Sequence, residues 1–191
     1  MMRSDLISPV QPQPRRLRFS VDDYYKMIEM GMIEDYERSE IIDGELQQAR
    51  SYDDRQSAVV ISLNFFLRQY CPQSILVKVG KPVRLSENDQ IEPSIALFDT
   101  AERRDLQNAR PIVVIEVADS YLQYVRTVKR QKYADAGIAE VWILNLRHNV
   151  LEIHQNLNSG IYQLVKIFKS GERVESTALP QLDFEVDSII S

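Results

Sequence analysis

From residue 112 to 117 the chain reads Ile-Val-Val-Ile-Glu-Val, apolar at all positions but one and without alternation. A strand with one solvated face alternates with period two, so this run predicts a central strand covered on both faces. A helical pattern follows over 121–136 and ends at Gly137, a residue suited to a helix C-terminus. Glu140-Val141-Trp142-Ile143-Leu144 then returns as a strand, giving a βαβ unit that is right-handed if its strands are parallel. Upstream, Ser20 with Asp23 three residues later predicts a helix over 21–30, stopped at Gly31. Asp43-Gly44 between Glu40-Ile41-Ile42 and Glu45-Leu46 predicts a hairpin with a type I′ turn. Ala58, Ile61, Leu63, Phe65, Phe66 and Leu67 predict a largely buried helix over 54–70, closed by Pro72. Further strands are expected over 75–79, 82–85, 91–98, 150–154, 161–168 and 179–186. These add up to an α/β fold with a mixed central sheet flanked by helices and a C-terminal β-hairpin extension.

The 191 residues carry 44% hydrophobic and 27% charged positions, as expected for one soluble domain with a real core. We expect a domain over 19–191 preceded by a disordered tail over 1–18, where Pro9, Pro12 and Pro14 alternate with glutamines. The tail lacks the apolar centre of a signal peptide, and no run reaches the roughly 18 apolar residues needed to span a bilayer. A cytoplasmic location is the resulting expectation. A single cysteine, Cys71, excludes an internal disulfide and a cysteine-based zinc cage. The net charge of −5 argues against a sequence-independent nucleic-acid coat but not against an enzyme with a local basic cleft. Arg15, Arg16 and Arg18, like Arg103, Arg104 and Arg110, read more simply as solvated surface than as phosphate contacts.

Candidate chemistry centres on Glu116. An acid in a buried strand is costly unless a charge meets it, and this one lies near the strand end where open α/β sheets place ligands. It can pair with Arg126 or Lys129, or face a divalent ion together with a second acid. Arg126, Lys129, Arg130 and Tyr133 recur at spacings of three and four, so one face of the following helix is expected to be largely basic. His148 and His154 lack ligand-spaced partners and are expected at surface or edge positions. Trp142 is expected in the core.

Several segments together resemble one family. Phe19-Ser20-Val21-Asp22-Asp23-Tyr24 and Glu40-Ile41-Ile42-Asp43-Gly44-Glu45 are similar to its opening helix and its E-L-I-D-G-E hairpin. Ile91-Glu92-Pro93-Ser94-Ile95-Ala96 is similar to its x-x-P-D-I-A strand. Ile115-Glu116-Val117-Ala118-Asp119-Ser120, continuing to Lys129, Tyr133, Ala136-Gly137-Ile138 and Glu140-Val141-Trp142, resembles its E-V-A-D-S … K … Y … A-G-I-x-E-x-W segment. The family is that of Uma-two type restriction endonucleases, a branch of the PD-(D/E)XK nuclease fold, and the likeness runs from Phe19 to about Ile189. It implies a restriction-endonuclease-like fold and a metal-dependent phosphodiesterase acting on DNA, in which Mg²⁺ is held by acids of the hairpin, of P-D and of E-V. By position, the resemblance makes Glu40, Glu116 and Lys129 catalytic and puts the metal on Glu40, Glu116 and the residue at 94. Enzymes that cut both strands often work as pairs, so a homodimer fits by analogy.

Three positions depart from the pattern. The P-D aspartate is Ser94, the aspartate opening the later helix is Val125, and a histidine of the second helix is Gln56, or Arg55 if the alignment slips by one. Glu92 or Asp119 could compensate, although Asp119 more simply caps the next helix. Two readings follow: a metal-dependent endonuclease that tolerates Ser94, or a degenerate member with a weakened or inactive metal site. The second would leave a non-catalytic binder of nucleic acid or of a partner. A third, structural reading would use Ile153, Tyr162, Val165 and Phe168 of the β-rich tail to pack a dimer.

Overall fold

The computed structural model describes residues 16–33, 39–49, 51–101 and 109–190. The first helix, α1 (Val21–Glu29), begins on the expected capping box: the Asp23 N–H donates to Ser20 Oγ at 3.0 Å, and the Ser20 N–H donates to the Asp23 carboxylate at 3.1 Å. Strands β1 (Ser39–Ile42) and β2 (Glu45–Gln48) form the expected hairpin. Its turn residues Asp43 and Gly44 have φ of +54° and +73°, the left-handed pair a type I′ turn requires.

Helix α2 (Asp54–Tyr70) is present, but it is not largely buried. It lies on one face of the sheet, so only the stripe through Val59, Val60, Leu63 and Leu67 is covered. Ala58 faces solvent, and Ile61 and Phe65 are 57% and 69% exposed. Strands β3 (Ile75–Val79), β4 (Val83–Arg84), β5 (Gln90–Ile91) and β6 (Ile95–Asp99) follow. The strand expected over 91–98 is therefore cut in two. Pro93 has no N–H to donate to a ladder, and the chain crosses from one sheet to another there.

Strand β7 (Val113–Ala118) is buried along its whole length. The next helical stretch consists of α3 (Leu122–Tyr124), a π-helical turn (Val125–Lys129) and α4 (Arg130–Asp135), and Gly137 closes it with φ +77°. Asp119 does not cap it. Tyr121 occupies the N-cap without its side chain capping the helix, while the Asp119 carboxylate lies 3.7 Å from Arg147. Strand β8 (Glu140–Asn145) runs parallel to β7, with Glu116 beside Ile143. Strands β9 (Val150–Asn158) and β10 (Ile161–Phe168) form the long hairpin. In place of a strand over 179–186 there is a short pair, β11 (Arg173–Val174) with β12 (Phe184–Glu185), and a 3-10 turn (Val186–Ser188).

The main sheet has the order β10-β9-β8-β7-β6-β3, with only β7 and β8 parallel, and a second sheet has the order β2-β1-β5-β4. Alternation along β7 sorts its side chains between two apolar clusters. Val113, Ile115 and Val117 join α2, Trp142 and the C-terminal segment, whereas Val114 and Ala118 join Val125, Tyr133 and Ile138. Glu116 shares the second face. Trp142 is fully buried, as expected. Its indole N–H donates to Glu140, whose carboxylate also accepts from Ser176, from Thr177 twice and from the Ala178 N–H, tying the sheet to the C-terminal loop.

Of the four tail residues named for the structural reading, Ile153 and Phe168 belong to one core cluster and Tyr162 to the other, while Val165 is exposed. His148 is exposed, but His154 sits on an internal strand and is 4% exposed, with neither ring nitrogen hydrogen-bonded among the described residues. Of the expected N-terminal tail, residues 1–15, including Arg15, lie outside the described residues, as do Arg103 and Arg104. Arg16 pairs with Glu45 at 3.0 Å, and Arg110 donates to the Ala136 carbonyl. No helix among the described residues is long and apolar enough to cross a membrane.

Candidate active site

Three residues far apart in sequence meet where the two sheets and the broken helix converge. Glu40 comes from β1, Glu116 from β7 and Lys129 from the end of the π turn. Lys129 Nζ lies 2.8 Å from Glu40 Oε1 and 3.3 Å from Glu116 Oε1, and it donates to the Glu92 carbonyl at 3.3 Å. All three side chains are buried, Glu116 at 1% exposure. Tyr133, one turn beyond Lys129 on the same face, donates its hydroxyl to Glu116 Oε1 at 2.5 Å. The helix is thus not basic along one exposed face: Lys129 and Tyr133 point inward, while Arg126 makes a two-pronged bond to Glu152.

Burial drives the electrostatics of this cluster. It pushes the Glu116 carboxyl above the usual carboxylate range, with Lys129 and Tyr133 acting in the opposite sense. For Lys129 burial alone would favour loss of the proton, but the adjacent Glu116 and Glu40 outweigh it and hold the ammonium well above its ordinary value. The ammonium therefore stays charged, bound to both acids.

Ser94 is wholly buried, and its hydroxyl oxygen accepts twice, from the Tyr52 hydroxyl at 2.7 Å and from the Val117 N–H at 2.9 Å. Gln56 and Tyr121 both donate to the Val117 carbonyl, at 3.2 and 2.8 Å. The two peptide groups that flank Val117, next to Glu116, are thereby both held. Val125 is fully buried in the apolar cluster behind the helix, and Arg55 is spent on the Leu146 carbonyl and Asn149. Glu92 lies at the rim of the site, and its N–H donates to Glu40 at 2.9 Å. A cavity of about 280 Å³ opens beside Lys129, walled by Glu40, Gln47, Tyr52, Glu92, Tyr121 and Tyr124.

The model of the Uma2 family, described as "Putative restriction endonuclease", matches residues 21–187. The chain belongs to that family. A solved structure from Anabaena variabilis ATCC 29413, described as "a putative nuclease belonging to DUF820", has the same fold. Its TM-score is 0.70 at 14% sequence identity, covering 90% of this chain and 97% of that one. No curated protein matches. The fold class expected from sequence is therefore the observed one, and Glu40, Glu116 and Lys129, the residues that the resemblance pointed to, lie together although three different elements carry them. Sequence reasoning missed Tyr52, Tyr121 and Tyr124. They sit in irregular segments and at a helix start, where no periodicity singles them out.

Proposed function

We propose that this Uma2 protein is a DNA endonuclease by descent whose Mg²⁺-dependent cleavage is weakened or lost, leaving a cleft that still engages nucleic acid. The observation that carries this reading is the Lys129 ammonium bonded to Glu40 and close to Glu116, in the place where a divalent cation would gather the same oxygens. Mg²⁺ prefers six oxygens in near-octahedral array, several of them water, and binds through anionic or unengaged donors. Here the two acids already share one cation, the Ser94 hydroxyl already accepts two hydrogen bonds, and Val125 offers no donor at all. Among the described residues no three His, Cys, Asp or Glu side chains are grouped so as to hold an ion. The donor set does not fit Mg²⁺ as it stands.

A nicking assay on supercoiled plasmid with Mg²⁺ or Mn²⁺ tests the proposal. The parent protein is expected to nick feebly or not at all, and Ser94→Asp, which restores a carboxylate beside Glu116, is expected to nick more. Efficient cutting by the parent, abolished by Glu116→Gln, would overturn it. The comparison requires that both variants retain the parent's circular dichroism spectrum.

A further inference from the structure

Helix α2 carries a second stripe besides the one that packs on the sheet. Asp54, Ala58, Ile61, Phe65 and Arg68 follow one another at spacings of four, three, four and three, which keeps them in line along the helix. All five are exposed, Ile61 by 57% and Phe65 by 69%. The buried stripe through Val59, Val60, Leu63 and Leu67 lies on the opposite face. A single apolar residue on a surface is ordinary, but Ala58, Ile61 and Phe65 in line form a seam.

The seam is complementary to itself. Ile61 stands seven residues from Asp54 and seven from Arg68. A second copy laid antiparallel, with a two-fold axis at Ile61, brings Asp54 of one copy level with Arg68 of the other. Ala58, three residues before the axis, then meets Phe65, four residues after it, small against large. A parallel pairing would instead set like charges side by side and Phe65 against Phe65, with a gap at Ala58. The Arg68 guanidinium donates to the Asn64 side chain at 2.9 Å and to the Val77 carbonyl at 3.2 Å, uncharged acceptors that hold it without neutralising it. Exposed charges of this kind select an orientation more than they add affinity.

A competing apolar surface is the outer edge of β10, where Ile161, Leu164, Val165 and Ile167 are exposed. Lys166 stands among them, and a lysine on a sheet edge discourages pairing between strands. The α2 seam has no charge within its apolar stretch.

We propose that α2 is the contact through which two copies of this chain pair, helix against antiparallel helix about a two-fold axis at Ile61. Both copies offer the same patch, so the contact closes on itself and no further copies add. One helix face covers less than the roughly 800 Å² per partner of a stable complex, so the pairing is reversible and depends on concentration. None of the seam residues belongs to the Glu40, Glu116 and Lys129 cluster, and the proposal stands apart from the reading of that site.

The test is sedimentation velocity of the full-length protein over a range of micromolar concentrations, joined to disulfide trapping. The parent is expected to shift from monomer to dimer as concentration rises. Phe65→Asp, which keeps an exposed position exposed and should leave the circular dichroism spectrum unchanged, is expected to weaken association roughly 30-fold or more. In a Cys71→Ser background, Ile61→Cys is expected to cross-link two copies on mild oxidation. Ala58→Cys is not, because antiparallel packing sets its two copies about 9 Å apart along the helix, beyond the reach of a disulfide. Ile167→Cys on β10 is expected to stay uncross-linked as well. A protein that remains monomeric at every concentration, or a dimer indifferent to Phe65→Asp, would overturn the proposal. Cross-linking at Ile167→Cys in place of Ile61→Cys would overturn it in favour of the β10 edge, and cross-linking at Ala58→Cys as readily as at Ile61→Cys would overturn the antiparallel arrangement.

Discussion

Glu40 Oε1 lies 2.8 Å from Lys129 Nζ, so the first hairpin and the helix after β7 are joined by a buried ion pair that Glu116 extends to three members. Lys129→Met would leave the buried acids Glu40 and Glu116 without their shared cation. Removing one partner of a buried pair costs about 3–5 kcal/mol, and that loss is expected in urea unfolding at neutral pH. Adding Glu116→Gln should recover part of it. If the ammonium stands where a divalent ion would sit, Mn²⁺ should raise the melting temperature of Lys129→Met while leaving the parent unmoved. Equal shifts in the two proteins would show that the ammonium is not what keeps the ion out.

Ser94 holds the peptide beyond Glu116 through one hydroxyl oxygen. Ser94→Ala leaves the Val117 N–H buried without that acceptor and is expected to cost about 1–3 kcal/mol. Tyr52→Phe removes the other bond to the same oxygen but keeps Ser94 on Val117, so about 0.5–1.5 kcal/mol is expected. Chemical denaturation of the two variants gives the order. A costlier Tyr52→Phe would mean that Tyr52, not Ser94, organises this corner.

The contrast between Glu116 and its surroundings explains what the sequence could reveal. The unbroken apolar run around Glu116 announced a buried strand and a buried acid, and Gly137 and Asp43-Gly44 fixed where neighbouring elements end, because those signals are local. The partner of Glu116 was left open between Arg126 and Lys129, since helical spacing places both near the strand but not which one turns inward. The break at Pro93 and the exposure of Ile61 and Phe65 depend on how the sheets lie against each other, which no short window contains. The tyrosine-walled cavity was equally hidden, because its walls come from β2, the segment before α2 and the start of the broken helix.

Glu152 lies on β9 with Arg126 on one side and Asn145 on the other. Burial would raise its carboxyl, but His154, Arg126 and Asn145 beside it bring it from 4.5 down to about 2. A depressed folded value means that its stabilisation is complete above pH 4.5 and is lost as the pH falls toward 2. The shift corresponds to at most about 3 kcal/mol, trimmed by screening at the partly exposed guanidinium. Unfolding free energies of the parent and of Glu152→Gln, compared between about pH 6 and the lowest pH at which both fold, should converge as acid is added. A constant gap would remove Glu152 as the source of acid sensitivity.

Gly44 bears on the site although it lies outside it, because its turn sets the register that delivers Glu40. A Cβ there would lie 2.7 Å from Arg18 Cβ and 2.9 Å from the Phe19 carbonyl oxygen, and the backbone is left-handed with φ +73°. The Phe19 N–H also donates to the Gly44 carbonyl at 2.9 Å, so the chain entering α1 cannot move aside without losing a bond. Gly31 has a similar φ of +69° but nothing within 4 Å of its would-be Cβ. Gly31→Ala should therefore show only the left-handed penalty, about 1–2 kcal/mol, and Gly44→Ala that penalty plus the clash. Thermal melts should place Gly44→Ala below Gly31→Ala by several degrees, since each kcal/mol moves a domain of this size by about 2–4 °C. If the two variants melt together, the close approach of the hairpin to the segment before α1 does not hold in solution, and the route by which Glu40 reaches Lys129 must be redrawn.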